Sequence, residues 1–228
     1  MSKVDLLRHE WPARPLDEIE GLGARAARGA GYNEALSGQA GRAARWLAAR
    51  GLPGPEALRA LLVLQERSGG RGLHPVSLSD SGADDDGRGT LCPISVGAAL
   101  AASPDRLSVG ERFVFATVAY PMLALPAIGL MAQSSDQIVG VAWHGLSVIL
   151  TAKGLSLRGD QGGLHTASAT SVVIGQAPIG RADLRPSCDR RAIDPDVWAA
   201  LEGFAARAPS PAGIVMGGRP SADGPGSF

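Results

Sequence analysis

Residues 113–135 read FVFATVAYPMLALPAIGLMAQSS, 23 positions without a charged side chain. About 20 apolar residues can span a bilayer, so by length alone this run is a candidate membrane segment. Its details oppose that reading. Pro121 and Pro126 interrupt it, Thr117, Tyr120, Gln133 and two serines dilute it, and Asp136 rather than a basic cluster follows it. Its first positions are rich in β-branched and aromatic residues, which suits a strand. The reading is therefore buried sheet, with no membrane span.

The surrounding charge pattern supports a buried segment. The 228 residues carry 22 basic and 22 acidic side chains, unevenly spread. Residues 1–112 hold 14 of each sign, residues 113–157 hold only Asp136 and Lys153, and residues 158–228 hold the remaining 14. Zero net charge argues against a general polyanion binder, and 45% hydrophobic with 19% charged residues is a globular balance.

Within the opening run and beyond it, the pattern alternates or stays apolar over 112–119, 121–132, 137–143, 146–152, 154–158 and 170–176. Lys153-Gly154 and Gly159-Asp160 supply turn chemistry between some of these segments. They predict a mostly antiparallel sheet, buried on both faces in places. Toward the N-terminus the period changes to that of helices. Leu16, Ile19, Leu22, Gly23 and Ala26 recur on one face behind the acidic first turn Asp17-Glu18. Asn33 is placed to cap a second helix reaching Arg50, with Gly51 beyond its end. Gly54-Pro55 opens a third through Gln65.

Residues 68–90 read as a long Gly-, Ser- and Asp-rich surface loop, and a short helix is expected from Ser95 to Ala102. Asp194-Pro195-Asp196 opens a last helix, and the Pro-, Gly- and Ser-rich stretch after Ala208 reads as a frayed tail. The fold class is α+β, an N-terminal helical unit packed on a mostly antiparallel sheet core with a C-terminal helix. The organisation is 15–68 for the helical unit, 90–207 for the sheet core with its closing helix, and 208–228 for the tail.

Compartment follows from the termini and thiols. Met1 to Glu10 mixes charges of both signs and lacks an apolar core, so no secretory signal is expected. Cys92 and Cys188 are too few for a disulfide framework, and a cytoplasmic protein is expected.

Several motifs fail on spacing. Gly21-Leu-Gly23-Ala-Arg-Ala26 matches a dinucleotide pattern but lacks the preceding strand and the later acidic residue. Asp80, Asp84, Asp85 and Asp86 cannot supply the alternating ligands and terminal Glu of an EF-hand loop. No metal site is expected, and no cofactor is specified. Ala27 to Gly31 between two helices resembles a helix-turn-helix, with Arg42 and Arg45 toward a groove, but 14 basic residues against 14 acidic ones give no electrostatic footprint. Nucleic-acid binding is kept only as a weak alternative.

The chemistry-bearing candidates are few. His144, the sole histidine of the near-neutral stretch, could serve as a general base or donor, with Ser147 three residues beyond. Cys92 opens a helix whose dipole would lower its thiol pKa. Cys188, Arg190 and Arg191 precede the last helix, where the arginine pair could hold an anionic substrate.

Taken together, Leu16-Asp17-Glu18-Ile19-Glu20, Ala26-Ala27-Arg28-Gly29-Ala30-Gly31, Ala44-Arg45-Trp46-Leu47-Ala48, Cys92-Pro93-Ile94 and Val197-Trp198 resemble an uncharacterised family of conserved bacterial proteins from GC-rich proteobacteria, a domain of unknown function. The resemblance would cover roughly residues 15–207 and implies no defined activity. Family members continue past the final helix into a further polar segment, and Ala208 to Phe228 departs from that. The opening helix pair also faintly resembles the malate/L-lactate dehydrogenase family, with too few matching side chains to transfer a catalytic residue.

Two function classes follow. One is a protein or enzyme that binds a small anionic or amino-acid-like metabolite through His144, Ser147, Cys92 and the arginine pair. The other is a homo-oligomer or partner subunit that uses its Ala/Gly-rich helices and uncharged sheet as an interface.

Overall fold

The computed structural model describes residues 11–69, 72–76, 78–79, 82–83, 89–108, 110–178 and 187–209. The acidic loop Asp84–Asp86 and most of the expected tail lie outside the described residues.

The helical unit forms as its caps dictate. After the short strand β1 (Ala13–Pro15), α1 (Leu16–Gly29) buries Ile19, Leu22, Gly23, Ala26 and Ala27 and keeps Asp17 and Glu18 in its first turn. Asn33 caps α2 (Glu34–Ala49), its Oδ1 accepting the Leu36 N–H at 2.9 Å. Gly51, with φ of 71°, then takes a left-handed conformation that other residues adopt at a cost. Pro55 lies in the first turn of α3 (Gly54–Arg67), where its missing N–H is harmless.

Small residues set how closely these helices approach. At the crossing of α1 and α2, a Cβ on Gly41 would stand 2.4 Å from the Glu20 carbonyl oxygen, so the backbones meet with no side chain between them. The Ala and Gly content of this quarter is thus a packing requirement.

Among the described residues, seven strands form the main sheet in the order β2-β5-β6-β10-β7-β8-β9. They are β2 (Leu73–His74), β5 (Thr90–Leu91), β6 (Phe113–Ala119), β7 (Val139–Trp143), β8 (Leu146–Thr151), β9 (Gly154–Gly159) and β10 (Ser168–Gln176). β3 (Leu78–Ser79) pairs separately with β4 (Gly82–Ala83), so the expected loop over 68–90 contains short strands. From β6 to β9 every pairing is antiparallel, whereas β2-β5 and β5-β6 are parallel. The α+β architecture is as the sequence implied.

One segment departs from expectation. Residues 121–132 are helical, a 3₁₀ turn over Pro121–Ala124 running into a helix over Leu125–Ser134. Both prolines sit in first turns, where they start a helix instead of breaking a strand, and Leu, Met and Ala dominate the rest. Two further helices precede β6, α4 (Pro93–Ala101) and α5 (Pro104–Ser108), so Leu125–Ser134 is α6. Among the described residues no helix is long and apolar enough to cross a membrane.

The core is continuous from the helical unit to the sheet. Phe115, Val141, Val148, Leu150 and Ile174 bury one sheet face, which α6 covers at β7 and β8, and belong to one core with Leu47, Leu58 and Leu62 of the helical unit. The opposite face carries Val114, Val173, Ala142, Ser147 and Arg158 in register across five strands, with Val114 54% exposed. The last helix, α7 (Pro195–Ala205), rests on the helical unit. There β11 (Arg190–Ala192) pairs antiparallel with β1, and a Cβ on Gly29 would lie 1.8 Å from the Phe204 carbonyl oxygen.

Candidate functional site

The sequence-derived residues do not converge. His144 is the first residue of a two-residue turn between β7 and β8, exposed, with φ of 44° followed by 77° at Gly145. Two successive positive φ values make the turn match the strand twist, which explains the placement at a hairpin tip. The His144 Nε2 accepts the Thr170 N–H at 3.3 Å. Ser147 faces the uncovered side of the sheet and lines a shallow hollow with Glu111 and Arg112 that His144 does not reach. Glu111 there is engaged by Arg106 at 2.7 Å.

Cys92 precedes α4 as expected but is only 5% exposed, with Sγ 3.6 Å from the Tyr32 hydroxyl. Burial pushes its thiol pKa up, outweighing the Ser95 and Ile94 backbone N–H groups and the Tyr32 hydroxyl that pull it down. Cys188 is exposed and sits at the far end of α2, its N–H donating to the Ala49 carbonyl at 2.8 Å. Arg190 donates to the Ala13 carbonyl at 2.7 Å, and Arg191 lies beside Gly51. These three therefore belong to the β1–β11 corner, away from His144, Ser147 and Cys92. Among the described residues no three His, Cys, Asp or Glu groups gather as metal ligands.

The converging geometry lies elsewhere, in a groove between α2 and α6. Helical spacing puts Gln39, Arg42, Ala43, Trp46, Ala49 and Arg50 on one face of α2. Across from them, α6 presents Pro126, Ala127, Leu130, Met131 and Ser134, again one face. Two hollows of about 380 Å³ and 310 Å³ share Arg42 and Leu130 as walls. The first has an apolar floor of Ile94, Leu123 and Ala43, and Leu130 at its edge is 46% exposed.

The polar groups around this floor are unequally engaged. Arg45 pairs with Asp17 at 3.2 Å and Glu20 at 3.0 Å, so its charge is answered within the helical unit. Arg50 stacks on Trp46 at 3.7 Å, donates to the Trp46 carbonyl, and has its pKa lowered by burial. Arg42 is exposed, and among the described residues no carboxylate pairs with it. One turn away the Gln39 Oε1 is buried and, among the described residues, meets no hydrogen-bond donor. A buried acceptor without a donor is costly, about 1–3 kcal/mol, and such groups call for an explanation. Sequence reasoning weighed Arg42 only against DNA and missed Gln39. The α2 face was legible in its spacing, but its α6 wall was read as strand.

Residues 14–91 match DUF3726, a protein family of unknown function. The resemblance expected from the sequence is thus found over its N-terminal part, and no activity comes with it. The matched stretch takes in most of β1, α1 to α3 and β2 to β5, and includes the α2 wall of the groove, whereas α6 lies outside it. No curated protein and no solved structure matches the chain.

Proposed function

We propose that the protein binds a small apolar amino-acid-like carboxylate in the α2–α6 groove. The observation that carries the reading is the pairing of the donorless Gln39 Oε1 with Arg42 above an apolar floor. Arg42 suits a carboxylate, which it can engage with two parallel N–H donors. The Gln39 Oε1 suits an amide or amine N–H one turn away on the same helix face. Ile94, Leu123, Ala127 and Met131 suit an apolar side chain. This arrangement, a largely apolar pocket with few convergent polar groups, is the usual form of a small-molecule site.

The test is calorimetric titration with N-acetyl derivatives of leucine, valine, phenylalanine and methionine, each beside its C-terminal amide. Saturable binding of at least one acid, weakened about tenfold or more in its amide and in Arg42→Ala, is expected. Equal binding of acid and amide, or no binding of any acid, overturns the reading.

A second reading rests on the uncovered sheet face, where Val114 is 54% exposed in a row with Val173 and Ala142. We infer that this face supports self-association. Sedimentation as an oligomer that Val114→Lys dissociates supports it, and a monomer at all concentrations removes it.

A further inference from the structure

Where β6 ends, Tyr120 adopts a left-handed conformation with φ of 38° and ψ of 59°, directly before Pro121. For a bulky residue this costs about 1–3 kcal/mol and persists only where the surroundings enforce it. Here they do. The Tyr120 N–H donates to the Ala167 carbonyl at 3.0 Å, and its own carbonyl accepts from Leu123 at 2.9 Å. These backbone bonds hold Tyr120 in place, and the residue lines a separate hollow of about 140 Å³.

Three elements bring titratable groups to that hollow. Glu56 comes from the first turn of α3, Tyr120 from the strand-to-helix junction, and His165 from the end of a 3₁₀ turn over Gln161–His165. Pro53, Ala57, Ala60, Met122 and Leu164 complete its walls. It is separate from the groove, with which it shares no lining residue among those described. A cavity of about 150 Å³ accommodates a benzene-sized molecule, which limits an occupant to roughly six heavy atoms.

We propose that this hollow is a second binding site, for a small organic cation with an apolar body. A carboxylate, a phenol oxygen and an imidazole nitrogen offer acceptors to an ammonium group, and Glu56 supplies the matching charge. The tyrosine ring adds a π face for the cation. Met122, Leu164 and Ala60 cover a branched hydrocarbon portion, and among the described residues no arginine or lysine lines the hollow to favour an anion.

The experiment follows the histidine ring resonances of the full chain by NMR, with the His165 signal assigned from His165→Gln. The probes are isobutylammonium, neutral isovaleramide and anionic isovalerate at constant ionic strength. A saturable shift of His165 with isobutylammonium, at least about tenfold weaker in Glu56→Gln, is expected. Ala60→Met fills the hollow from a half-buried position outside the core and is expected to abolish the shift with folding intact, so the proposal is decided even where Glu56→Gln perturbs the fold. No saturable shift, an equal response to isovaleramide or isovalerate, or an unchanged response in Ala60→Met overturns it.

Discussion

The Cys92 Sγ lies 3.6 Å from the Tyr32 hydroxyl, a partly buried contact between the turn joining α1 to α2 and the start of α4. Burial raises the pKa of both groups, so the fold favours the neutral thiol and neutral phenol. Their contribution is complete below the ordinary thiol value of 9.0 and is lost as pH rises, because the unfolded chain releases protons that the folded chain retains. Urea unfolding at about pH 8 and about pH 10 should show a falling midpoint, and Cys92→Ala should show a smaller fall. Thiol labelling should separate the two cysteines, with exposed Cys188 reacting in the folded state and Cys92 only on unfolding. Equal labelling rates would contradict the burial argument.

The α1–α2 crossing gives a steric prediction. Gly41→Ala would place a methyl group 2.4 Å from the Glu20 carbonyl oxygen, and Gly29→Ala one 1.8 Å from the Phe204 carbonyl oxygen. Each should lower stability by about 1–3 kcal/mol or more, since the obstacle is backbone that cannot rotate away. Gly21→Ala, in the same α1, meets only the flexible end of Arg25 at 3.5 Å. Helix propensity then acts alone, and the variant should be neutral or up to about 1 kcal/mol more stable. Denaturant midpoints for the three variants test the contrast.

How much of this was legible in the sequence depends on what each segment needs from the rest of the chain. α1, α2 and α3 announce themselves locally, through Asp17-Glu18, the Asn33 cap and the Gly54-Pro55 start. The hairpins β7-β8 and β8-β9 are also local, because short turns fix their register. Residues 121–134 are different. Apolar on every side, they have no period to read, and only packing beneath the sheet decides between strand and helix. The candidate site suffered from the same gap. Gln39 and Arg42 acquire meaning only when α6 stands opposite them, and His144 loses its buried-strand meaning once it is seen at a hairpin tip.

The hairpin tip itself can be tested. At φ of 44°, His144 occupies a position where Asn and Gly are preferred and β-branched residues are strained. His144→Val should destabilise by about 1–2 kcal/mol, from backbone strain and the lost acceptor for Thr170. His144→Asn should match or exceed the parent in thermal midpoint. Equal thermal midpoints for His144→Val and the parent would contradict the strain assigned to this position.

The groove couples stability to binding. The buried Gln39 Oε1 finds no donor among the described residues, so Gln39→Met removes an unsatisfied acceptor while keeping a flexible side chain of similar length. The variant should unfold at higher urea, with a gain of about 1 kcal/mol or more. The same change removes the acceptor that an amide N–H would use, so any N-acetyl amino acid that raises the parent's thermal midpoint should raise that of Gln39→Met less. Arg42→Ala separates the two effects. Its guanidinium is exposed, so unliganded stability should change by less than about 0.5 kcal/mol while the ligand-dependent rise is lost. If Gln39→Met instead destabilises the unliganded protein, the side chain serves packing and its acceptor is not held for a ligand.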